Sequence, residues 1–402
     1  MSLDRTKRIP SRPLLTAGLV LGALVLNFVW ASQLGASGLF GEYRTSAAGF
    51  ILRGDIPYSQ ATPHTGSLPG TLRFYPLYAL LFLGPFALIP SATLGRMLWM
   101  LLLEACIAGS AWLGMELVGW KPRLCVRAAV VLVAVFSYSS LRAVGMGSLV
   151  PLAGFFLVAS LWFVKNQNDE VAGVLLAGSL IAPTVVAPAV LSVVIWALSH
   201  HRGAIVVWLL GVLALMAGFA AVFLLNWPVL YWGTLVNAIG AKPPPVVATL
   251  EQVFVSWFPG VGARLALSIV AVVGVFCLTE WLLVTRGSFM QLTWNVALVL
   301  VAMQWMMVPT DAGNAVVFLL PCLLFLYLLE ARWRRLGQWT GWGVLGILWL
   351  ASWIAGLEGG IFAPSKSFLL VFVPGVLLVG LYWVRWWAVR EKESWDRPLP
   401  LG

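Results

Sequence analysis

Residues 14–34, LLTAGLVLGALVLNFVWASQL, form an uninterrupted apolar run that carries no charge. A helix needs about 20 predominantly apolar residues to cross the hydrocarbon core of a membrane. Four basic residues precede the run, namely Arg5, Lys7, Arg8 and Arg12. The run is longer than the apolar core of a secretory signal peptide, and no convincing cleavage site follows it. We therefore expect a retained first span with the N-terminus on the cytoplasmic side.

Comparable apolar runs recur along the chain. Of its 402 residues 61% are hydrophobic and only 10% are charged, and the mean hydropathy is +0.93. Soluble domains are about half apolar and a quarter charged. Composition therefore predicts an all-α, polytopic integral membrane protein, a single domain over residues 1–402, in the inner (plasma) membrane. The candidate spans, about twelve by the length criterion, are residues 14–34, 76–93, 97–119, 124–144, 149–164, 171–198, 203–225, 264–285, 288–308, 314–330, 338–356 and 367–388.

The net charge of +10 comes from basic residues in short loops beside the apolar runs. This placement is typical of the cytoplasmic loops of membrane proteins and not of a nucleic-acid interface. We expect membrane lipids as partners and no nucleic acid. The four cysteines have no CxxC spacing, so neither a disulfide framework nor a metal site is indicated.

Alternation of the spans divides the polar segments between the two sides of the membrane. The segments predicted to lie outside are the first outer loop 35–75, the second outer loop 226–263, and residues 309–313 and 357–366. The segments predicted to lie inside are His200–Arg202, Arg332–Arg335 and the tail 389–402. The basic residues of the inside set agree with the positive-inside rule.

One basic cluster breaks this rule, because Lys121, Arg123 and Arg127 fall on the outer side of the predicted topology. Either a segment near 76–93 or 124–148 is re-entrant, or these residues meet a phosphate on the outer face. The sequence leaves both explanations open.

The first outer loop concentrates charge in a chain that has little of it. A carboxylate near the membrane costs free energy, so it is usually paired with a cation or has a function. Glu42 is therefore either a functional base among arginines or part of a solvated loop. Residues 45–53 are expected to form a short amphipathic helix on the membrane. The candidate site residues in this loop are Glu42, Arg44, Arg53, Asp55, Tyr58, Arg73 and Tyr75.

A second candidate segment, MVPTDAGN at residues 307–314, joins two apolar runs. Its Pro and Gly break the helix and leave free backbone groups beside Asp311. The segment is either a simple turn or part of a site, and alternation places Asp311 and Asn314 on the side of Glu42.

Other polar positions favour structural roles. Glu104 and Glu280 lie within apolar runs, where a carboxylate must pair, be protonated or face a cavity. We expect an interhelical bond or a protonated acid at both. Arg142 lies near the break Gly145–Ser148, and Ala182-Pro183 should kink or split its helix.

The order of motifs in the first outer loop resembles glycosyltransferase family 87. The matching residues are Glu42, Ala47-Ala48, Gly54-Asp55-Ile56-Pro57-Tyr58 and Phe74-Tyr75-Pro76-Leu77. The later segment Pro309–Asn314 is similar to a proline-containing break of the same family. Two positions differ, since the family acid is usually Asp where this chain has Glu42, and a family Lys-Pro pair stands here as Ala182-Pro183. If the family lysine helps to bind the donor phosphate, that role is either unfilled in this chain or taken by Arg142, Arg127 or Arg123.

The resemblance implies the class C glycosyltransferase fold and a one-step, inverting transfer. A mannose-like hexose would move from a polyprenyl-phosphate donor to a lipid or glycan acceptor at the outer face, without a metal or other cofactor. Glu42 would be the general base, and Arg44, Arg53 and Arg73 would hold the donor phosphate. The residues implied to support the acceptor or the site are Asp55, Tyr58, Tyr75, Asp311 and Asn314, and Asp311 would either orient acceptor hydroxyls or support an arginine.

Two alternatives to glycosyl transfer remain open. A transporter or flippase for lipid-linked or small polar substrates would use broken helices and intramembrane carboxylates such as Glu104 and Glu280. A non-catalytic envelope-assembly protein would account for the absent Lys-Pro pair.

Overall fold

A computed structural model describes residues 12–35, 38–53, 75–240, 249–306, 311–357 and 367–389. Throughout these ranges the regular structure is helical, which confirms the all-α prediction. The α-helices are α1 (Arg12–Leu34), α2 (Gly38–Arg53), α3 (Leu77–Ala87), α4 (Ala92–Val118), α5 (Leu124–Val135), α6 (Tyr138–Met146), α7 (Val150–Lys165), α8 (Asp169–Ser179), α9 (Pro183–Ser199), α10 (Gly203–Phe223), α11 (Trp227–Gly240), α12 (Leu250–Trp257), α13 (Gly262–Val284), α14 (Phe289–Ala302), α15 (Leu319–Leu357) and α16 (Ser367–Val389). Short 3₁₀ helices cover Met303–Trp305 and Ala312–Phe318.

Several helices are long and apolar enough to cross a membrane, as expected of a multi-pass protein. Among the described residues five helical segments pass by length and composition, namely α4, α10, α13, α16 and the segment Ala312–Gly356. The pair α5 and α6, bent by 52°, would make a sixth. Shorter apolar helices such as α7 and α9 accompany them. These five or six segments do not confirm the twelve predicted spans.

Contacts between helix ends define two opposite ends of the bundle. At one end, Arg96 near the start of α4 donates to the carbonyl of Gly35, which follows α1, at 2.8 Å. Its other amino group donates to the carbonyl of Gly145, beside the Arg142–Asp311 ion pair. We call this the Asp311 end. At the other end Trp120, which follows α4, donates to Glu330 in α15 at 2.7 Å, and we call this the Glu330 end.

Helix α3 does not reach from one end to the other. It has 11 residues, about 16 Å of helix. Before it, Tyr75 packs on Tyr43 of α2, and after it the carbonyls of Ile89 and Pro90 accept hydrogen bonds from Arg44 of the same helix. The residues just before and just after α3 therefore contact the same turn of α2. Because α2 lies at the Asp311 end, the chain returns to that end after α3. The predicted span 76–93 is therefore wrong.

This return corrects the position of the anomalous basic cluster. With α3 removed from the count, α4 runs from the Asp311 end to the Glu330 end, and Lys121, Arg123 and Arg127 lie beside Trp120 and Glu330. Lys165 and Arg202 lie at this end too. Lys165 donates to the carbonyls of residues 116 and 117, and Arg202 pairs with residue 169 and donates to the carbonyl of residue 164. The first explanation, a segment near 76–93 that does not cross, is the one that the structure supports.

The structure adds detail to three further segments. The run 171–198 is two helices, because the chain leaves helical geometry at residues 180–182 and Pro183 begins α9. The runs 314–330 and 338–356 lie on either side of a break in α15 at Arg334, where φ is 49°, so they stay separate as predicted, and residues 314–318 belong to the second 3₁₀ helix. The second outer loop contains α11 and α12, whereas residues 241–248 lie outside the described ranges.

The intramembrane carboxylates have polar partners. Glu280 of α13 accepts two hydrogen bonds from Arg385 of α16, at 2.8 and 3.0 Å. Glu104 of α4 accepts one from the amide of Asn27 in α1 at 2.9 Å. The expectation of structural interhelical bonds at these positions is confirmed.

Candidate functional site

Helix α2 carries Glu42 and packs into the bundle. It begins at Gly38, earlier than the predicted start at residue 45. Its buried side chains are Phe40, Tyr43, Ala47 and Phe50. This spacing of three or four residues makes one helical face, and that face contacts α3 and α6. A helix in the first outer loop is thus confirmed, but its apolar face covers protein. The side chain of Glu42 lies outside the described part of the structure.

The position of α2 is fixed by a close contact with the end of α6. Gly147 ends α6 in the left-handed region, with φ of 78°. A Cβ added there would lie 2.7 Å from Cβ of Phe40. The indole of Trp99 in α4 donates to the carbonyl of Gly147 at 3.1 Å. The segment that looked like a flexible break is therefore a tightly packed helix cap.

Arg96 joins the ends of three helices at this point. Arg96 is 1% exposed, and its guanidinium donates to the carbonyls of Gly35 at 2.8 Å and Gly145 at 2.6 Å. These carbonyls end or follow α1 and α6, whose last carbonyls lack partners within the helix. A buried cation needs such acceptors, so Arg96 holds α1, α4 and α6 together.

Asp311 and Arg142 form a bidentate ion pair. Nε of Arg142 lies 2.9 Å from both carboxylate oxygens, and Nη2 lies 2.6 Å from Oδ2. The Arg142 side chain is fully buried and that of Asp311 is 18% exposed. Arg142 also donates to the hydroxyl of Tyr138 at 3.3 Å, and Asp311 accepts from the backbone N–H of Gly313 at 2.7 Å. Asp311 therefore supports an arginine, one of the two roles predicted for it.

Tyr75 connects α2 to this ion pair. Its ring meets the ring of Tyr43 edge to face at 5.8 Å, and its hydroxyl interacts with the side chain of Ser148. Burial raises the pKa of Tyr75 above its usual value, and the nearby charge of Asp311 acts in the same direction. The phenol is thus neutral at physiological pH and available as a hydrogen-bonding group.

These residues come from distant parts of the chain and form one group. We call it the polar cluster, and its members are Tyr43, Tyr75, Tyr138, Arg142, Ser148 and Asp311. The first outer loop and the segment around Asp311 were predicted to share one side of the protein. In the structure they meet through Tyr75.

The other predicted site residues are not all in this cluster. Arg44 donates to the carbonyls of Ile89 and Pro90, at 3.0 and 3.2 Å, and so holds the turn after α3. The backbone N–H of Asn314 donates a hydrogen bond to the carbonyl of Asp311 at 2.9 Å. The side chain of Arg53 and all of Asp55, Tyr58 and Arg73 lie outside the described residues.

Sequence reasoning missed Arg96 and Trp99 and underrated Arg142, which it treated as a neighbour of a helix break. A signal was available, since Arg96 and Arg142 are cations within otherwise apolar segments, where charge is rare and usually has a specific partner. Their partners, two carbonyls and Asp311, were not predictable because they are 49 to 169 residues distant in sequence.

An apolar groove ends beside the polar cluster. It has a volume of about 290 Å³ and lies between α5, α6, α15 and α16. Its lining residues on one side extend from Ala315 to Leu326, about 16 Å of helix. A small cavity beside it, of about 10 Å³, is lined by Asp311 and Gln304. The residues that line both are Ser139, Ala315, Phe318, Ser352 and Val373.

Among the described residues no group of three His, Cys, Asp or Glu side chains is arranged to hold a metal ion. Comparison with known proteins gives no matching family model, no matching curated protein and no matching solved structure.

Proposed function

We propose that this protein is a membrane glycosyltransferase that moves a hexose from a polyprenyl-phosphate donor to a hydroxyl group of an acceptor. One observation carries the proposal. The helix that bears Glu42 also bears Tyr43, which contacts Tyr75, and both tyrosines belong to a buried polar cluster at the end of an apolar groove. An enzyme for lipid-linked sugars needs polar groups for the sugar and an apolar surface for the chain. Both are present at the Asp311 end.

In the proposed reaction Glu42 removes the proton from the acceptor hydroxyl as that oxygen attacks the anomeric carbon. The bond between the anomeric carbon and the phosphate oxygen breaks, and its electron pair leaves with the lipid phosphate. Attack from the opposite face inverts the anomeric centre. The leaving phosphate is already an anion, so it needs cations more than it needs an acid.

The proposed phosphate ligands are arginines of the first outer loop, since a guanidinium binds phosphate through two parallel hydrogen bonds. We assign this role first to Arg53 and Arg73. The contacts of Arg44 with the carbonyls of Ile89 and Pro90 favour a role in holding α2 against the start of α4.

The test is a transfer assay with the full-length protein in nanodiscs. Radiolabelled polyprenyl-phosphate sugars are offered with membrane lipid acceptors, and the anomer of the product is determined. We expect Glu42→Gln to lower kcat by at least about 100-fold, the lower range for loss of a general base. Glu251→Gln is the matched control, because Glu251 is an exposed glutamate of α12 and should keep full activity.

Activity retained by Glu42→Gln would remove Glu42 as the base. If wild-type protein transfers no sugar from any donor, the proposed activity is wrong, and movement of the same labelled lipids across the bilayer becomes the measurement to make. Movement of lipids across the bilayer is the alternative function, and Glu280 and Glu104, the carboxylates that it would use, make interhelical bonds in the structure.

A further inference from the structure

We infer that the apolar groove binds the hydrocarbon chain of the acceptor, so that the acceptor is a lipid whose hydroxyl-bearing head lies at Asp311. This inference rests on the proposed glycosyl transfer and names the acceptor class that the transfer would use. It assigns to the groove an amphiphile in one orientation, with its head at the Asp311 end and its chain towards Leu326 and Trp342.

The groove changes from apolar to polar along its length. Most of its lining is aliphatic or aromatic, and the polar residues concentrate where it approaches Asp311. The polar lining near this end includes Ser137, Tyr138, Ser139, Ser140, Ser352 and Gln304. A ligand that matches this surface has an apolar chain and a polar, hydrogen-bonding head.

The charge at this end favours a head with hydroxyl groups over a phosphate. Arg142 is fully buried and its charge is balanced by Asp311, which retains some exposure. A carboxylate accepts hydrogen bonds from hydroxyls, whereas it repels an anion at short distance. The serine hydroxyls and the Gln304 amide can both donate and accept. The donor phosphate is therefore assigned elsewhere, and the groove is assigned to the acceptor.

The size of the groove limits the chain. An apolar cavity of ~150 Å³ accommodates one benzene molecule. The volume of about 290 Å³ therefore has room for roughly twelve carbon atoms. A volume of this order suits one alkyl or acyl chain.

Gly346 keeps the groove open. It lines the groove on the second half of α15, and a Cβ added there would meet no atom within 4 Å. Gly343 lies three residues earlier on the same helix, also has no atom within 4 Å of an added Cβ, and does not line the groove. An added Cβ therefore meets no neighbour at either position, but only at 346 does the new side chain start from the wall of the groove.

The experiment compares these two variants in the transfer assay, with dodecyl mannoside and methyl mannoside as acceptors. For Gly346→Leu we expect the KM for dodecyl mannoside to rise about tenfold, because the side chain takes space that the chain needs, as in overpacked cores. The KM for the donor should not change, and dodecyl mannoside should lose its advantage over methyl mannoside. Gly343→Leu should behave like wild type.

A second readout does not depend on transfer. Dodecyl mannoside with a diazirine on its chain is photolysed with the protein in phosphatidylcholine nanodiscs, and labelled peptides are mapped by mass spectrometry. We expect labels in residues 315–326 or 342–349, abolished by excess dodecyl mannoside but not by dodecylphosphocholine, and much reduced in Gly346→Leu.

Each contrary outcome overturns the inference separately from the proposed function. Equal competition by dodecylphosphocholine would mean that the groove holds any bilayer chain. A raised KM for the donor in Gly346→Leu would assign the groove to the donor. If Glu42→Gln abolishes transfer while Gly346→Leu matches wild type, the function stands and the acceptor groove is wrong. If wild-type protein transfers nothing but the labelling is as expected, the function is wrong and the groove remains a glycolipid site.

Discussion

At the scale of single residues, the Arg142–Asp311 pair is the main electrostatic feature of the candidate site. A charge buried without a partner is strongly destabilising, whereas replacing both members of a buried pair by apolar residues is often neutral. Arg142 has no exposed surface and depends on Asp311 for compensation. Asp311 in turn fixes the turn before α15 through its bond to the N–H of Gly313.

We therefore expect Asp311→Asn to lower the free energy of unfolding by about 3 kcal/mol. The control is Asp169→Asn, which weakens a pair with Arg202 whose two side chains are each about a fifth exposed, and should cost only about 1 kcal/mol. Denaturant-induced unfolding in mixed micelles measures the free energy of unfolding of both variants. Adding Arg142→Met to Asp311→Asn should recover most of the loss. A double variant as unstable as the sum of the two single variants would show that the pair is not coupled.

At the scale of secondary structure, the site depends on how α2 docks on α6. The contact between Phe40 and Gly147 leaves no space for a side chain. Since Phe40 and Glu42 lie in the same turn of α2, a displacement at Phe40 moves the proposed base. The docking thus connects a packing contact to catalysis.

Gly147→Ala tests this connection, with Gly119→Ala as its control. Both glycines end a helix with φ of 78°, so both substitutions incur the left-handed penalty of about 1 kcal/mol. An added Cβ at Gly119 meets no atom within 4 Å, whereas at Gly147 it meets Phe40. We expect Gly147→Ala to lose about 2 kcal/mol more stability and most of the transfer activity. Equal behaviour of the two variants would show that α2 is not held by this contact.

At the scale of the whole molecule, the two ends of the bundle differ in charge. The Glu330 end gathers Lys121, Arg123, Arg127, Lys165, Arg202 and Arg332–Arg335, and the Asp311 end holds the polar cluster. By the positive-inside rule we expect the Glu330 end to face the cytoplasm. The proposed active site then faces the outer side.

Cysteine labelling in sealed membrane vesicles tests this orientation. In a Cys125→Ser background, Lys121→Cys and Arg335→Cys should react with a membrane-impermeant maleimide only from the cytoplasmic side. Thr45→Cys, at an exposed position of α2, should react only from outside. Labelling of Lys121→Cys and Arg335→Cys from opposite sides would contradict the placement of both at one end.

The sequence by itself determined the class of the protein, because an apolar run long enough to cross the bilayer has few alternatives to a helix. It also predicted a helix in the first outer loop, the break at Pro183 and the structural role of Glu280, since each follows from local chemistry. Only the tertiary structure decided that α3 turns back, that Asp311 pairs with Arg142, and that the polar cluster meets an apolar groove. These features depend on contacts between residues far apart in the chain, and hydropathy, which averages over neighbouring residues, carries no information about such contacts.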